Sequence, residues 1–177
     1  MSEEGLLETA GPAGAVLRLR FFRAGDRFAH RLELAEGDSI RPLLESLEGT
    51  AAEDWPASPP LQQLHVEERP TGKVALLVGM AGRSHWSLAV ETAPNGFLFR
   101  AACRLREPPA KLGSRYRLLH PAGESWVTAE TPSADSQSAV TSSALIRDSD
   151  RAELRPTAEF DALPQRGEWG FRLGGAG

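Results

Sequence analysis

The sequence predicts a mostly β protein, an antiparallel β-sandwich or partly closed barrel with one short helix. Three observations carry that expectation. Apolar and polar residues alternate with period two along most of the chain, the mark of strands with one buried face. Turn residues, among them Gly25 and Asn95-Gly96, separate these runs as they do in hairpins. Helical patterning is confined to one stretch near residue 40. At 177 residues the chain fits a single domain with a core large enough to need neither metal nor disulfide.

Residues 1–14 carry Glu3, Glu4 and Glu8 and read as a flexible N-terminus, with the main β domain expected over 15–130. Leu17, Leu19 and Phe21 alternate with Arg18 and Arg20. After Gly25, Phe28, His30, Leu32 and Leu34 alternate with Arg27, Arg31 and Glu33, so the two runs form a hairpin. Over 38–49 the pattern changes. Asp38 or Ser39 can cap, Pro42 suits a first turn, Leu43, Leu44 and Leu47 share a helical face, and Gly49 can terminate, which predicts the short helix. Pro56, Pro59 and Pro60 then impose an ordered loop.

Strands are expected over 61–68, 73–80 and 85–91. Asn95-Gly96 is the sharpest hairpin signal, leading into Phe97, Phe99, Ala101, Cys103 and Leu105, which alternate with Arg100, Ala102, Arg104 and Arg106. Pro108-Pro109 ends that run, and shorter strands follow over 115–119 and 125–130. Residues 131–143, rich in Ser and Ala, read as a loop. C-terminal strands are expected within 144–173, with a frayed end over 174–177. Parity predicts burial of Leu19, Phe28, Trp86, Leu88, Val90, Phe97, Phe99, Cys103 and Trp169.

A net charge of −4 and a pI near 5.6 argue against broad, nonspecific nucleic-acid binding, though they leave room for a local basic patch. Only Lys73 and Lys111 are lysines, so nearly all positive charge is arginine. The lone Cys103 excludes an intramolecular disulfide framework and points to a reducing compartment. No basic segment precedes an apolar one at the N-terminus, and no apolar run approaches the roughly 20 residues a spanning helix needs. A cytoplasmic protein with no membrane partner is the expectation.

Most common chemistries leave recognisable spacings, and none is present: no phosphate loop, dinucleotide fingerprint, paired-His helix or cysteine pair. Neither a cofactor nor a metal is implied. Gly82-Arg83-Ser84-His85-Trp86 begins like a nucleophile elbow but lacks the second Gly and falls in a hairpin, leaving Ser84 and His85 as weak catalytic candidates against a plain tight turn. If Trp86, Leu88 and Val90 face the core, His85 and Ser87 point the other way, beside Gly79 and Gly82, which would let a ligand approach the backbone.

The second candidate is electrostatic. Between Phe97 and His120, six basic side chains stand against Glu107 alone, a local +5. Arg100, Arg104 and Arg106 share a strand face, and a neighbouring strand could add Arg115 and Arg117, a row able to hold phosphate or carboxylate groups. The ordinary alternative is a solvated face interleaved with acidic neighbours. His30, on a core-facing parity, reads as a satisfied buried histidine, and Cys103 as a small core residue.

Val74 to Glu91, with Ser58-Pro59-Pro60-Leu61, Ala102-Cys103-Arg104 and Leu112-Gly113-Ser114-Arg115-Tyr116, resembles segments of uncharacterised bacterial proteins of planctomycete type over roughly residues 17–119. That resemblance implies no activity, ligand or site residue. Two functional classes follow from the residues. One is a noncatalytic binding or interaction protein whose arginine face takes an acidic protein or small anionic ligand. The other is a small hydrolase or phosphate-handling enzyme using His85 with an arginine clamp. An enzyme needs His85 and the arginines to converge on one concavity, whereas an interaction surface can stay flat.

Overall fold

A computed structural model describes residues 5–129, 143–158, 160 and 163–175. Thirteen strands run in chain order among them: β1 (Gly5–Ala10), β2 (Val16–Ala24), β3 (Arg27–Glu36), β4 (Ser39–Ser46), β5 (Gln63–Arg69), β6 (Gly72–Ala81), β7 (Ser84–Ala93), β8 (Gly96–Leu105), β9 (Ser114–Leu118), β10 (Val127–Ala129), β11 (Ser143–Asp148), β12 (Arg151–Pro156) and β13 (Gln165–Gly174). They form two antiparallel sheets, one ordered β1-β2-β3-β4-β9-β12-β11 and the other β10-β13-β8-β7-β6-β5. We call them the first and second sheets. Neither closes on itself, so the fold is a β-sandwich rather than a barrel.

The sandwich forms because alternation puts one apolar face on each sheet. Leu7, Leu17, Leu19, Phe21, Phe28 and Leu32 from the first sheet meet Leu77, Trp86, Val90, Phe99 and Phe171 from the second in one buried cluster. All nine residues expected in the core are buried. Phe99 stacks on Phe171 at a centroid separation of 4.7 Å, and His30 sits 5.3 Å from the Phe99 ring. The β7–β8 hairpin turns at Asn95, whose φ of 58° is the left-handed conformation that Asn tolerates better than most residues.

Several expectations are corrected. The helix expected over 38–49 is instead strand β4; among the described residues a 3-10 segment spans Pro121–Trp126, and Pro12–Gly14 is a tight turn with Ala13 at a φ of 53°. A bulge misled the pattern: Leu32 faces Leu44 while Glu33 faces Pro42, leaving Leu43 as the extra residue. Both Leu43 and Leu44 are therefore buried, which mimics a helical stripe. Pro42 sits at the bulge and beyond the stretch that pairs with β9, where a missing N–H breaks little of the ladder.

Residues 5–10, expected within a flexible N-terminus, form β1, paired to β2 from Gly5↔Phe21 to Ala10↔Val16, with Leu7 fully buried. Of the strand expected over 125–130, Val127–Ala129 forms β10 and residues 125 and 126 belong to the preceding 3-10 segment, while residue 130 lies outside the described residues. Gly174 closes β13, and the Gly175 N–H donates to the Asn95 carbonyl. The Ser/Ala-rich stretch 131–143 lies outside the described residues except for Ser143, which opens β11 and whose hydroxyl donates to the Gly170 carbonyl. Among the described residues, no helix is long and apolar enough to cross a membrane.

Candidate functional site

The outer faces of the two sheets treat their arginines differently. On the first sheet, several arginines meet carboxylates from adjacent strands. Arg18 pairs with Glu8, Arg20 with Glu33, Arg31 with Glu45, and Arg115 with Glu153, which also takes Arg155. These two guanidiniums hold the Glu153 carboxyl below its ordinary range against the opposing pull of its burial. Arg117 is exposed and lies between Glu45 of β4 and Arg151 of β12 in register.

On the second sheet, Arg100, Arg104 and Arg106 are exposed, and among the described residues no carboxylate lies within ion-pair distance of any of them. The sequence grouped five arginines; the fold separates them. Strand β9, carrying Arg115 and Arg117, joins β4 and β12 in the first sheet, so it adds nothing to the β8 row. The β8 arginines instead gain Arg166, the register partner of Arg104 on β13. Arg166 pairs with Glu168 two residues along its own strand at 2.5 Å.

This face is hollowed. Two adjoining depressions of about 560 and about 480 Å³ share Val78, Ser87 and Arg166; the first also reaches Met80, His85 and Arg104, the second Ala89, Arg100 and Ala102. The small side chains of Ser87, Ala89 and Ala102 on the two central strands leave the floor low, while arginines rise on one side together with Glu168, which lies opposite Ala102. On the other side Val78 and Met80 are 47% and 52% exposed, large apolar groups left facing solvent. A third depression of about 550 Å³ continues between Arg104, Arg106 and Arg166.

Ser84 and His85 part company. Strand alternation turns Ser84 inward, where it is 1% exposed and lies against the Cys103 thiol, so it cannot serve as a nucleophile for anything in the hollow. Burial pushes the Cys103 thiol up to about 12, and it stays a core residue. His85 is exposed on the outer face, in register with Arg104. The glycines serve the chain rather than a ligand: a Cβ at Gly79 would come within 1.7 Å of the Pro60 carbonyl oxygen, and one at Gly82 within 2.9 Å of the Asp54 side chain. The Pro-rich loop thus packs against β6, fixed further by Gln62, whose side-chain amide bonds both the N–H and the carbonyl of Met80.

A second polar cluster lies inside the sandwich. His30 Nε2 and the Tyr116 hydroxyl are 2.8 Å apart, and burial drives the imidazole down to about 3, so it is neutral as expected of a satisfied core histidine. The Ser46 hydroxyl accepts from the His30 backbone N–H and donates to Glu48 Oε1 at 2.6 Å. Burial pushes the Glu48 carboxyl up to about 7 despite that bond and the nearby Arg27 charge. Nothing in the local pattern marked Glu48, because it follows a strand that read as a helix.

Arg166 and Val78 were missed for a different reason: only the pairing of β13 with β8 and of β6 with β7 brings them to the arginines. Among the described residues, no cluster of three or more His, Cys, Asp or Glu is placed to hold a metal ion. No family model, curated protein or solved structure matches the chain, so the geometry of the hollowed face is what a functional reading has to stand on.

Proposed function

We propose that the protein is a noncatalytic binding protein whose hollowed outer face on the second sheet takes an anionic ligand or an acidic protein segment. One observation carries the reading: Arg18, Arg31 and Arg115 of the first sheet meet carboxylates of neighbouring strands, whereas Arg100 and Arg104 of the second line adjoining depressions where the lining carboxylate, Glu168, is paired with Arg166, and neither has a carboxylate within ion-pair distance among the described residues. A guanidinium left uncompensated beside apolar surface favours an anion, because the charge-assisted bond it can make is about twice as strong as a neutral one. The exposed Val78 and Met80 add an apolar contact, so an amphiphilic anion fits better than a simple one.

Titration with 8-anilinonaphthalene-1-sulfonate, an aromatic sulfonate whose fluorescence rises on binding, tests this reading. The intact protein should bind it saturably. Replacing both Arg100 and Arg104 by Ala should weaken binding by about tenfold or more, the equivalent of one charge-assisted hydrogen bond. Arg117→Ala, on the other sheet, should leave it unchanged. Equal loss in both variants, or none in the double variant, would rule the reading out.

One observation favours the catalytic alternative: His85 and Arg104 do converge on a single concavity. If the site is a phosphate-handling enzyme with His85 as general acid or base, the protein should turn over p-nitrophenyl phosphate and His85→Ala should abolish that turnover. Absence of turnover in the intact protein removes this alternative and leaves the binding reading in place.

A further inference from the structure

We propose that the ligand is a small soluble phosphomonoester carrying an apolar group, its phosphate held across Arg104 and Arg166 beside His85 and its apolar part on Met80 and Val78. This rests on the reading of the hollowed face as an anion site and deepens it by naming the ligand.

Four residues lie in one register row across four strands: Met80 opposite His85, His85 opposite Arg104, and Arg104 opposite Arg166. Neighbouring strands lie roughly 4.8 Å apart, so the row spans about 14 Å from an apolar end to a cationic end. Like charges placed directly opposite each other on paired strands destabilise a sheet. The first sheet shows how this chain tolerates such pairs: Arg20 faces Arg31, and each has its own carboxylate, Glu33 and Glu45, while Arg117 faces Arg151, which has Asp150, and has Glu45 as its other cross-strand neighbour. In the second sheet Arg166 has Glu168, but Arg104 has no carboxylate among the described residues, and its other cross-strand neighbour is His85. The missing negative charge belongs at Arg104.

The number of donors selects the anion. A carboxylate offers two oxygens and is satisfied by one guanidinium fork, whereas a phosphomonoester presents three terminal oxygens to several donors at once. Two guanidiniums and an imidazole N–H in one row match the second case. The apolar end then sets the rest of the molecule: from the cations to Met80 there is room for one aromatic ring or a short chain. A depression of about 560 Å³ is of ordinary size for a small ligand. Its concavity suits a free molecule better than a lipid surface.

Calorimetric titration of the full chain with phenyl phosphate, inorganic phosphate and benzoate tests the assignment. Phenyl phosphate should bind about tenfold or more tightly than either of the others, the row supplying both more donors and apolar contact. Arg104→Ala and Arg166→Ala should each weaken both phosphates. Met80→Ser, at an exposed position, should erase the advantage of phenyl phosphate over inorganic phosphate and leave the latter unaffected. Benzoate binding as tightly as phenyl phosphate would overturn the phosphate assignment. Inorganic phosphate binding as tightly as phenyl phosphate would overturn the apolar end. Capture by phosphatidylcholine vesicles containing phosphatidate, with no binding of phenyl phosphate, would make the face a membrane surface and overturn the proposal. If no phosphate binds while the aromatic sulfonate still depends on Arg100 and Arg104, this inference fails and the anion-binding face stands. If the sulfonate also fails, both fall.

Discussion

Buried His30 and partly exposed Glu48 are two ionisable groups joined through Ser46, and they respond to pH in opposite senses. The Glu48 carboxyl rises from an ordinary 4.5 to about 7 in the folded chain, so between those values the folded protein holds a proton that the unfolded chain has shed. Its contribution to stability is complete below pH 4.5 and is lost as pH rises to 7. The His30 imidazole falls from 6.5 to about 3, so its contribution is complete above pH 6.5 and is lost as pH falls toward 3. Between 4.5 and 6.5 the two slopes partly cancel. Glu48→Gln keeps an acceptor for the Ser46 hydroxyl while removing one of the two titrations. The stability of that variant relative to the parent should therefore climb as pH rises from 4.5 to 7 and level off above 7, as measured by urea denaturation at a series of pH values. A difference independent of pH would mean that Glu48 is ionised throughout.

Elements were legible where alternation was uninterrupted. The β7–β8 hairpin, announced by Asn95-Gly96 and by five inward apolar residues on β8, falls where the sequence places it, and so does the β2–β3 hairpin around Gly25. Strand β4 was not legible, because a bulge puts two adjacent leucines on the core side and a proline where a central strand would not normally hold one. Strand β1 was hidden by its charge: Glu8 looks like part of a solvated tail until Arg18 is known to lie opposite it. If β1 is a structural strand, Leu7→Ala should cost about 2–5 kcal/mol by chemical denaturation, the range for a fully buried leucine. A cost under about 1 kcal/mol would show that this edge contributes little to the core.

At the scale of the whole molecule, strand alternation told which side chains face outward, and it was right for Arg100, Arg104, Arg106, His85 and Ser87. It could not tell which outward faces adjoin. Assigning Arg115 and Arg117 to the same patch as Arg100 presumed that strands close in sequence are neighbours in space, whereas β9 crosses to the other sheet and β13 returns from the far end of the chain to flank β8. Strand order is a property of the long-range pairing, and no local pattern encodes it. What results is a sandwich with one outer face carrying several cross-strand ion pairs and the other hollowed, partly apolar and edged by Arg100 and Arg104, which have no carboxylate partner among the described residues.

Because attraction to that second face is electrostatic, binding there should weaken with salt as the Debye length falls from about 10 Å at 0.1 M to about 3 Å at 1 M. The most direct measurement is a map of backbone amide shifts by NMR during titration with 8-anilinonaphthalene-1-sulfonate at low salt. Saturable shifts are expected at Val78, Met80, His85, Ser87, Ala102, Arg104 and Arg166, shrinking as salt is added, with β9, β11 and β12 unperturbed. Shifts centred instead on Arg115 and Arg117, or scattered over both sheets without saturation, would contradict binding at that face.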